Sequence, residues 1–253
     1  MDLLRRQRLV IIAALAGIVV LAWLYLMREA TEMEAMMAGM DRKMVMPAKG
    51  PVDLLLLLAM WSIMMAGMML PSTAPMILTF AGINRGRRSR GQTYVPTVLF
   101  VAGYLLTWAS FSVAATLVQW GLEWTAVMSL MDMKADSRLL GGLLFVAAGI
   151  YQFTPLKQAC LRLCWSPLSF VANHWRDGSM GAVRMGMTHG LYCLGCCWVL
   201  MLLLFVVGVM NLLWVAGLAA VVLVEKLLPS QPWISRVGGL VLAAYGLWLL
   251  AAG

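Results

Sequence analysis

The chain has 253 residues, of which 62% are hydrophobic and 12% charged, and its formal net charge is +8. A soluble domain of this length cannot bury so much apolar surface in one core. The composition therefore excludes a soluble globular protein and predicts an all-α, polytopic integral membrane helical bundle.

Apolar runs recur along the chain at the length of membrane helices. A bilayer core requires about 20 largely apolar residues per helix. The runs cover residues 9–27, 51–80, 96–120, 139–153, 187–210, 212–228 and 233–252. We predict about seven transmembrane helices in a single membrane domain, 1–253, with residues 28–50 as a methionine-rich outer loop. The first run lacks a clear cleavage site, so we interpret it as a retained helix rather than a signal peptide.

Basic residues fix the predicted orientation, because Lys and Arg stay on the cytoplasmic side of a membrane. With the N-terminus inside, thirteen of the 19 basic residues face the cytoplasm together with three acids, and six bases and eight acids face outward. We predict an N-in, C-out protein of the bacterial inner membrane. The basic segment 84–92 is short and has no interleaved aromatic residues, so no nucleic-acid partner is indicated.

Methionine is abundant in the second run. Four-residue steps place Met60, Met64 and Met68 on one helical stripe, with a thioether about every 6 Å. Pro71 leaves the carbonyl of Gly67 without a backbone donor and predicts a kink or opening of this helix. Thioethers bind Cu(I) in preference to hard cations. The alternative for the stripe is that its methionines only pack in the bundle. The methionines of the outer loop could capture metal, or the loop could be a disordered connection without that role.

The segment "THGLYCLGCCW", Thr188–Trp198, places four donor residues in an apolar run. At about 100° per helical residue, one face carries His189, Cys193, Cys196 and Cys197. Cys160 and Cys164 are four residues apart and share a face if their segment is helical. The predicted topology brings both groups near the cytoplasmic side. Thiols and an imidazole suit Cu(I), and Zn²⁺ stays open.

Three segments give the chain a resemblance to a known family. The stretches "MWSIMMAGMMLPS", "GIYQFTPLKQACLRLCWSP" and "GLYCLGCCWVLMLLLFVVGVMNLLW", the last followed by "VEKLLP", resemble a bacterial family of predicted metal-binding integral membrane proteins. The resemblance covers roughly Met60 to Pro229. It implies an inner-membrane location and a bound metal, but no established reaction. The positions that it carries over are Met60, Trp61, Met64, Met65, Met68, Met69, Pro71, Tyr151, Lys157, Cys160, Cys164, Cys193, Cys196, Cys197, Asn211, Glu225 and Lys226.

Several of the remaining signals have structural interpretations. Glu225 and Lys226 end the sixth run, where the lysine can snorkel and the pair can neutralise itself, so we interpret them as an interfacial anchor. Asn211 suits a turn or a helix cap. Gly141–Gly142 and Gly238–Gly239 are typical of close helix contacts.

Two functions remain in consideration. The first is Cu(I) binding, relay or transport, with the five cysteines and His189 as the tight site, the methionine stripe as a weaker relay, and a copper enzyme or metallochaperone as partner. The alternative is a membrane thiol–disulfide oxidoreductase that uses Cys193 and Cys196 as a C-x-x-C pair. Against this alternative, its cysteines would lie on the cytoplasmic side of the membrane, which is reducing. No catalytic motif is present, so an enzyme is less favoured and no catalytic residue is assigned.

Overall fold

The computed structural model describes residues 2–39, 50–91, 94–124, 128–129, 134–135, 138–228 and 232–252. The helices are α1 (Asp2–Gly39), α2 (Pro51–Arg88), α3 (Thr97–Trp124), α4 (Arg138–Tyr151), α5 (Pro155–Trp165), α6 (Pro167–His174), α7 (Gly178–Leu202), α8 (Leu204–Val207), α9 (Leu212–Leu227) and α10 (Pro232–Ala251). Two-residue strands β1 (Met128–Ser129) and β2 (Lys134–Ala135) pair antiparallel between α3 and α4. The predicted all-α class is confirmed.

Five helices in the described part of the chain are long and apolar enough to cross a membrane: Arg5–Ala35, Pro51–Arg88, Thr97–Glu123, Gly178–Val207 and Trp233–Ala251. Helices α4 and α5 meet at a bend of 62° and add a sixth crossing if they are one broken span. Helix α9 has 16 residues, fewer than a bilayer core requires. The count of seven transmembrane helices therefore stays a prediction.

Helix α1 is longer than its apolar run. It continues to Gly39, so the predicted start of the outer loop at residue 28 is corrected for residues 28–39. These residues include several strong helix formers, and Arg28 Nε lies 2.6 Å from Glu32 Oε1 one turn later. Residues 40–49 of that predicted loop lie outside the described residues, and Gly50 is the N-cap of α2.

Helix α2 lies at the centre of the bundle. It packs against α1, α3, α6 and α9, and the helix continues without interruption through Pro71 and Pro75. The predicted opening at Pro71 is therefore not observed. The carbonyl of Met69 accepts two hydroxyl groups in this region, those of Ser72 and Tyr104, at 2.9 and 3.3 Å.

Helices α3 and α7 are in close contact through glycines. A Cβ atom on Gly186 would collide with the carbonyl of Phe100, and one on Gly190 would lie 2.7 Å from Thr107 Oγ1. The Thr107 hydroxyl donates to the carbonyl of Met187 at 3.2 Å. This packing explains why α7 begins at Gly178, nine residues before the predicted start at 187: glycines lower the hydropathy of the first turns but allow close helix approach.

Helices α4 and α10 form a second glycine-mediated pair. A Cβ atom on Gly142 would lie 2.6 Å from Leu250, and one on Gly239 would lie 2.7 Å from Gln152. A Cβ atom on Gly141 would lie 2.9 Å from Val206, whereas one on Gly238 would meet nothing within 4 Å. The predicted glycine contacts are confirmed at Gly141, Gly142 and Gly239 but not at Gly238.

Basic residues gather at one end of the bundle. Arg8 of α1 and Arg85 of α2 line the same small cavity. Arg87 Nη2 lies 2.5 Å from Asp177 Oδ1, immediately before α7, and the Arg87 guanidinium lies 4.7 Å from the ring centroid of Trp175. The start of α1, the end of α2 and the start of α7 therefore share one end.

Candidate metal centre

Three thiols of α7 point into the bundle. Cys193, Cys196 and Cys197 are buried, and all five cysteines of the chain are free thiols. The thiols of Cys196 and Cys197 each donate to the carbonyl of Cys193 at 3.0 Å. The helical spacing thus places them on one face, as predicted.

Helix α5 adds a fourth thiol. Thr154 caps the helix, since its hydroxyl accepts the Lys157 backbone N–H at 3.3 Å, and Pro155 follows at the first helical position. The Cys164 side chain contacts Cys196, and contacts continue from Cys196 to Cys197 and from Cys197 to Cys193. We call these residues, Cys164, Cys193, Cys196 and Cys197, the thiol cluster.

Cys160 lies at the edge of this cluster. Its Sγ atom would lie 2.8 Å from a Cβ atom on Gly195, so it occupies the space that the glycine leaves open on α7. Cys160 is half-buried. The structure therefore brings both predicted cysteine groups together, with Cys160 outermost.

Two polar side chains hold Cys193. Lys226 Nζ lies 2.6 Å from Cys193 Sγ, and the Tyr104 hydroxyl lies 3.0 Å from the same sulfur. Lys226 also donates to Ser72 Oγ at 3.3 Å and is 7% exposed. The interpretation of Lys226 as a snorkelling anchor is therefore wrong: its ammonium group points into the bundle, at a thiol.

Glu225 faces a different partner. Lys157 Nζ lies 2.7 Å from Glu225 Oε2, and the two side chains are 0% and 3% exposed. Lys157 also donates to the Gln152 side chain, and Trp165 Nε1 donates to the Glu225 carbonyl at 2.7 Å. This buried ion pair joins α5 to α9 just beyond the α4–α5 bend. Glu225 thus forms a buried ion pair with Lys157 and does not form a surface pair with Lys226.

His189 lies one helical turn before Cys193 and is 3% exposed. Its ring contacts the rings of Phe100, Tyr104 and Phe170, the last at 5.2 Å and edge-on. Its Nδ1 atom is buried without a hydrogen-bond partner. Buried polar atoms normally have hydrogen-bond partners. Because this nitrogen has none, it is available as a ligand for a metal ion.

The predicted methionine stripe is buried. Met60, Met64 and Met68 are at most 4% exposed, and Met65 and Met69, which form a second stripe on α2 four residues apart, are equally buried. Burial does not distinguish the two stripes, because neighbouring helices cover α2 on several sides. The α2 backbone next to Met68 lies near the thiol cluster, since the Tyr104 hydroxyl donates to the carbonyl of the following residue, Met69, and lies 3.0 Å from Cys193 Sγ.

The donor set suits a soft metal but is not yet gathered around a point. In the parts of the chain that the structure describes, no three His, Cys, Asp or Glu side chains stand together as a ready metal site. The thiols instead contact one another in a row and donate to a carbonyl. A pair of neighbouring thiols can bind Cu(I) after losing their protons, and soft sulfur donors favour that ion.

Sequence reasoning named the sulfur donors but missed their polar partners. Tyr104 and Ser72 carry no local signal, because a hydroxyl in an apolar helix is compatible with many roles. Lys226 was among the positions of the family resemblance, and that was the one signal that could have identified it.

A comparison with protein families finds a match over most of the chain. The family model PpoB2, described as a copper chaperone, matches residues 58–249. The matched range contains the methionine stripe, the thiol cluster, His189 and Lys226, and it leaves out α1. No curated protein and no solved structure matches the chain.

Proposed function

The chain belongs to the PpoB2 copper chaperone family, and we propose that it binds Cu(I) at the thiol cluster inside a membrane-embedded helical bundle and hands the ion to a partner protein. The site combines Cys164, Cys193, Cys196 and Cys197, with Cys160 and His189 as further donors at its edge.

The observation that carries this proposal is the row of neighbouring free thiols on two helices, of which the three on α7 are buried and Cys164 on α5 is half-buried. Packing alone gives no reason to place four thiols in a row whose end lies beside a buried ammonium group. Thiolates are the protein ligands that Cu(I) binds best. Zn²⁺ also binds thiolates, so the experiment below measures both metals.

The membrane location is part of the proposal. Large apolar side chains are exposed on the outside of the bundle, for example Leu21 on α1, Val98 on α3 and Leu240 on α10, each more than 60% exposed. A soluble monomer rarely exposes this much apolar surface. The basic end of the bundle supports the N-in, C-out orientation in a bacterial inner membrane.

The methionine stripe is proposed as the route to the thiol cluster. Met60, Met64 and Met68 offer weaker thioether sites, and Tyr104 connects their end of α2 to Cys193. Movement from loose to tight sites would carry Cu(I) from the outer side inward. A copper enzyme or a metallochaperone would receive the ion.

Metal content of the purified full-length chain tests the proposal. The protein is loaded anaerobically with Cu(I) and Zn²⁺ in competition, and bound metals are measured by mass spectrometry. We expect retained copper that is lost in a Cys193→Ser, Cys196→Ser, Cys197→Ser triple variant. Thr188→Ala is the control, because it removes a polar side chain of the same helix that bonds only the Arg184 carbonyl.

Retention of copper by the triple variant, or retention of zinc in place of copper by the wild type, would contradict the proposal. The oxidoreductase alternative receives no support from the family match.

A further inference from the structure

The last turn of α9 sends two neighbouring charges in different directions. Glu225 pairs with Lys157 at 2.7 Å, so those two charges cancel. Lys226 contacts no carboxylate among the described residues; its partners are the Cys193 thiol at 2.6 Å and the Ser72 hydroxyl at 3.3 Å. The buried site therefore has one excess positive charge, placed against a candidate ligand.

An excess charge inside a helical bundle is costly unless an opposite charge approaches it. Cu(I) held by a pair of thiolates carries one net negative charge, because one positive ion meets two negative ligands. That complex would neutralise Lys226. Cu(I) held only by neutral thioethers or imidazole keeps its positive charge and would be repelled.

We infer that Lys226 is a specificity-determining residue of the metal site: its positive charge beside Cys193 stabilises an anionic Cu(I)–thiolate complex and disfavours a complex built from neutral donors. The inference rests on the proposed function. It also explains how one protein can have a site that retains copper, the thiol cluster, next to a stripe of weaker sites that only passes the ion on. The lysine favours the thiol cluster over the methionine stripe as the place where copper stays.

Anaerobic competition between the full-length protein and a chromophoric Cu(I) chelator tests this inference. Lys226→Met removes the charge and keeps an apolar chain of similar length, whereas Lys226→Arg keeps the charge. We expect copper affinity to fall about tenfold or more in Lys226→Met and to fall less in Lys226→Arg, which keeps the positive charge. Arg162→Met is the matched control, because it removes one positive charge from an exposed position on α5.

Folding is checked through the thermal unfolding midpoint of each metal-free variant, and Lys226→Gln serves as a second neutral variant if Lys226→Met does not fold. Equal copper affinity in wild type and a folded neutral variant would overturn the role of Lys226 and leave the proposed function standing. Absence of copper binding by the wild type would overturn the proposed function and this inference with it. A similar loss in Arg162→Met would also overturn the inference, since it would show a general charge effect.

Discussion

At the scale of single residues, the thiols differ in how many neighbours they have. Cys196 contacts both Cys164 on α5 and Cys197 on its own helix, so it joins the two halves of the thiol cluster. Cys160 lies at the half-buried edge. This difference orders the expected effects of substitution.

We predict that Cys196→Ser lowers Cu(I) affinity by about 10–100-fold, because a hard hydroxyl replaces the central soft donor. Chelator competition on the purified protein measures the change. Cys160→Ser should have a smaller effect than Cys196→Ser. The reverse order would contradict the assignment of Cys196 as the central sulfur.

His189 offers a prediction in which stability and binding separate. His189→Phe keeps a ring among Phe100, Tyr104 and Phe170 and removes the unpartnered Nδ1 atom. We expect the metal-free variant to unfold at the same temperature as the wild type or higher, since a buried unpaired polar group costs about 1–3 kcal/mol. Copper affinity should fall. If affinity is unchanged, His189 is a packing residue and not a ligand.

The residue scale also shows where sequence reasoning reaches its limit. The face shared by His189, Cys193, Cys196 and Cys197 follows from helical geometry alone, and the structure has it. A lysine in the last turn of an apolar helix looks the same in sequence whether it reaches the interface or a buried partner. The direction of Lys226 depends on Cys193 and Ser72, which come from two other helices, so local pattern could not give it.

At the scale of elements, α3 and α7 determine where the thiols lie. Their glycine contacts place Tyr104 beside Cys193. Small residues at such contacts allow helix backbones to approach closely in membranes. The register of this pair is therefore a condition for the site.

Gly186→Ala should lower stability and copper binding together. Its added methyl group would collide with the Phe100 carbonyl, and such overpacking typically costs about 1–3 kcal/mol. Gly82→Ala is the matched control, because a Cβ atom there meets nothing within 4 Å. The thermal unfolding midpoint in detergent is the readout. Equal midpoints for both variants would show that the α3–α7 contact does not support the fold.

The methionine stripe makes a kinetic prediction. We expect a Met64→Leu, Met68→Leu variant to keep the wild-type copper stoichiometry, because the thiol cluster is intact, but to load copper more slowly after reconstitution into vesicles. Met180→Leu, at a position 65% exposed, is the control for loss of a thioether. Wild-type loading rates in the double variant would indicate that the stripe is simple packing.

The sequence predicted the presence of the helices better than it predicted their ends. The length of the apolar runs located a helix for each of the seven runs, because burial in a bilayer or in a bundle requires the same apolar composition. The ends were less accurate. Helix α1 extends past its apolar run since Arg28–Glu32 and other helix formers continue it, and α7 starts early because glycines that lower hydropathy improve packing against α3.

At the scale of the whole molecule, the fold places the site deep in the bundle. Cys193 lies fifteen residues after Gly178, about 22 Å along α7 at 1.5 Å per residue. The α4–α5 bend and the end of α9 approach the same region through Lys157 and Glu225. Broken helices near the middle of a membrane commonly surround binding sites. The proposed metal site thus lies near the bend between α4 and α5, where the helical path is interrupted.

This arrangement could not be read from sequence, which placed Cys160 and Cys164 between the predicted membrane runs, near the cytoplasmic side. Residues 154–186 have mixed composition, and an interfacial helix would have the same pattern. Helix α5 instead packs into the bundle because Lys157 forms an ion pair with Glu225, which lies 68 positions later in the chain. Long-range pairing of this kind decides the site, whereas local pattern decides only the helices.

X-ray absorption at the copper edge of the full-length, Cu(I)-loaded protein tests the central claim most directly. We predict copper in the monovalent state with sulfur as the dominant nearest neighbour and at most a minor nitrogen contribution from His189. A nearest shell of nitrogen or oxygen, or copper that does not stay with the protein, would contradict binding at the thiol cluster.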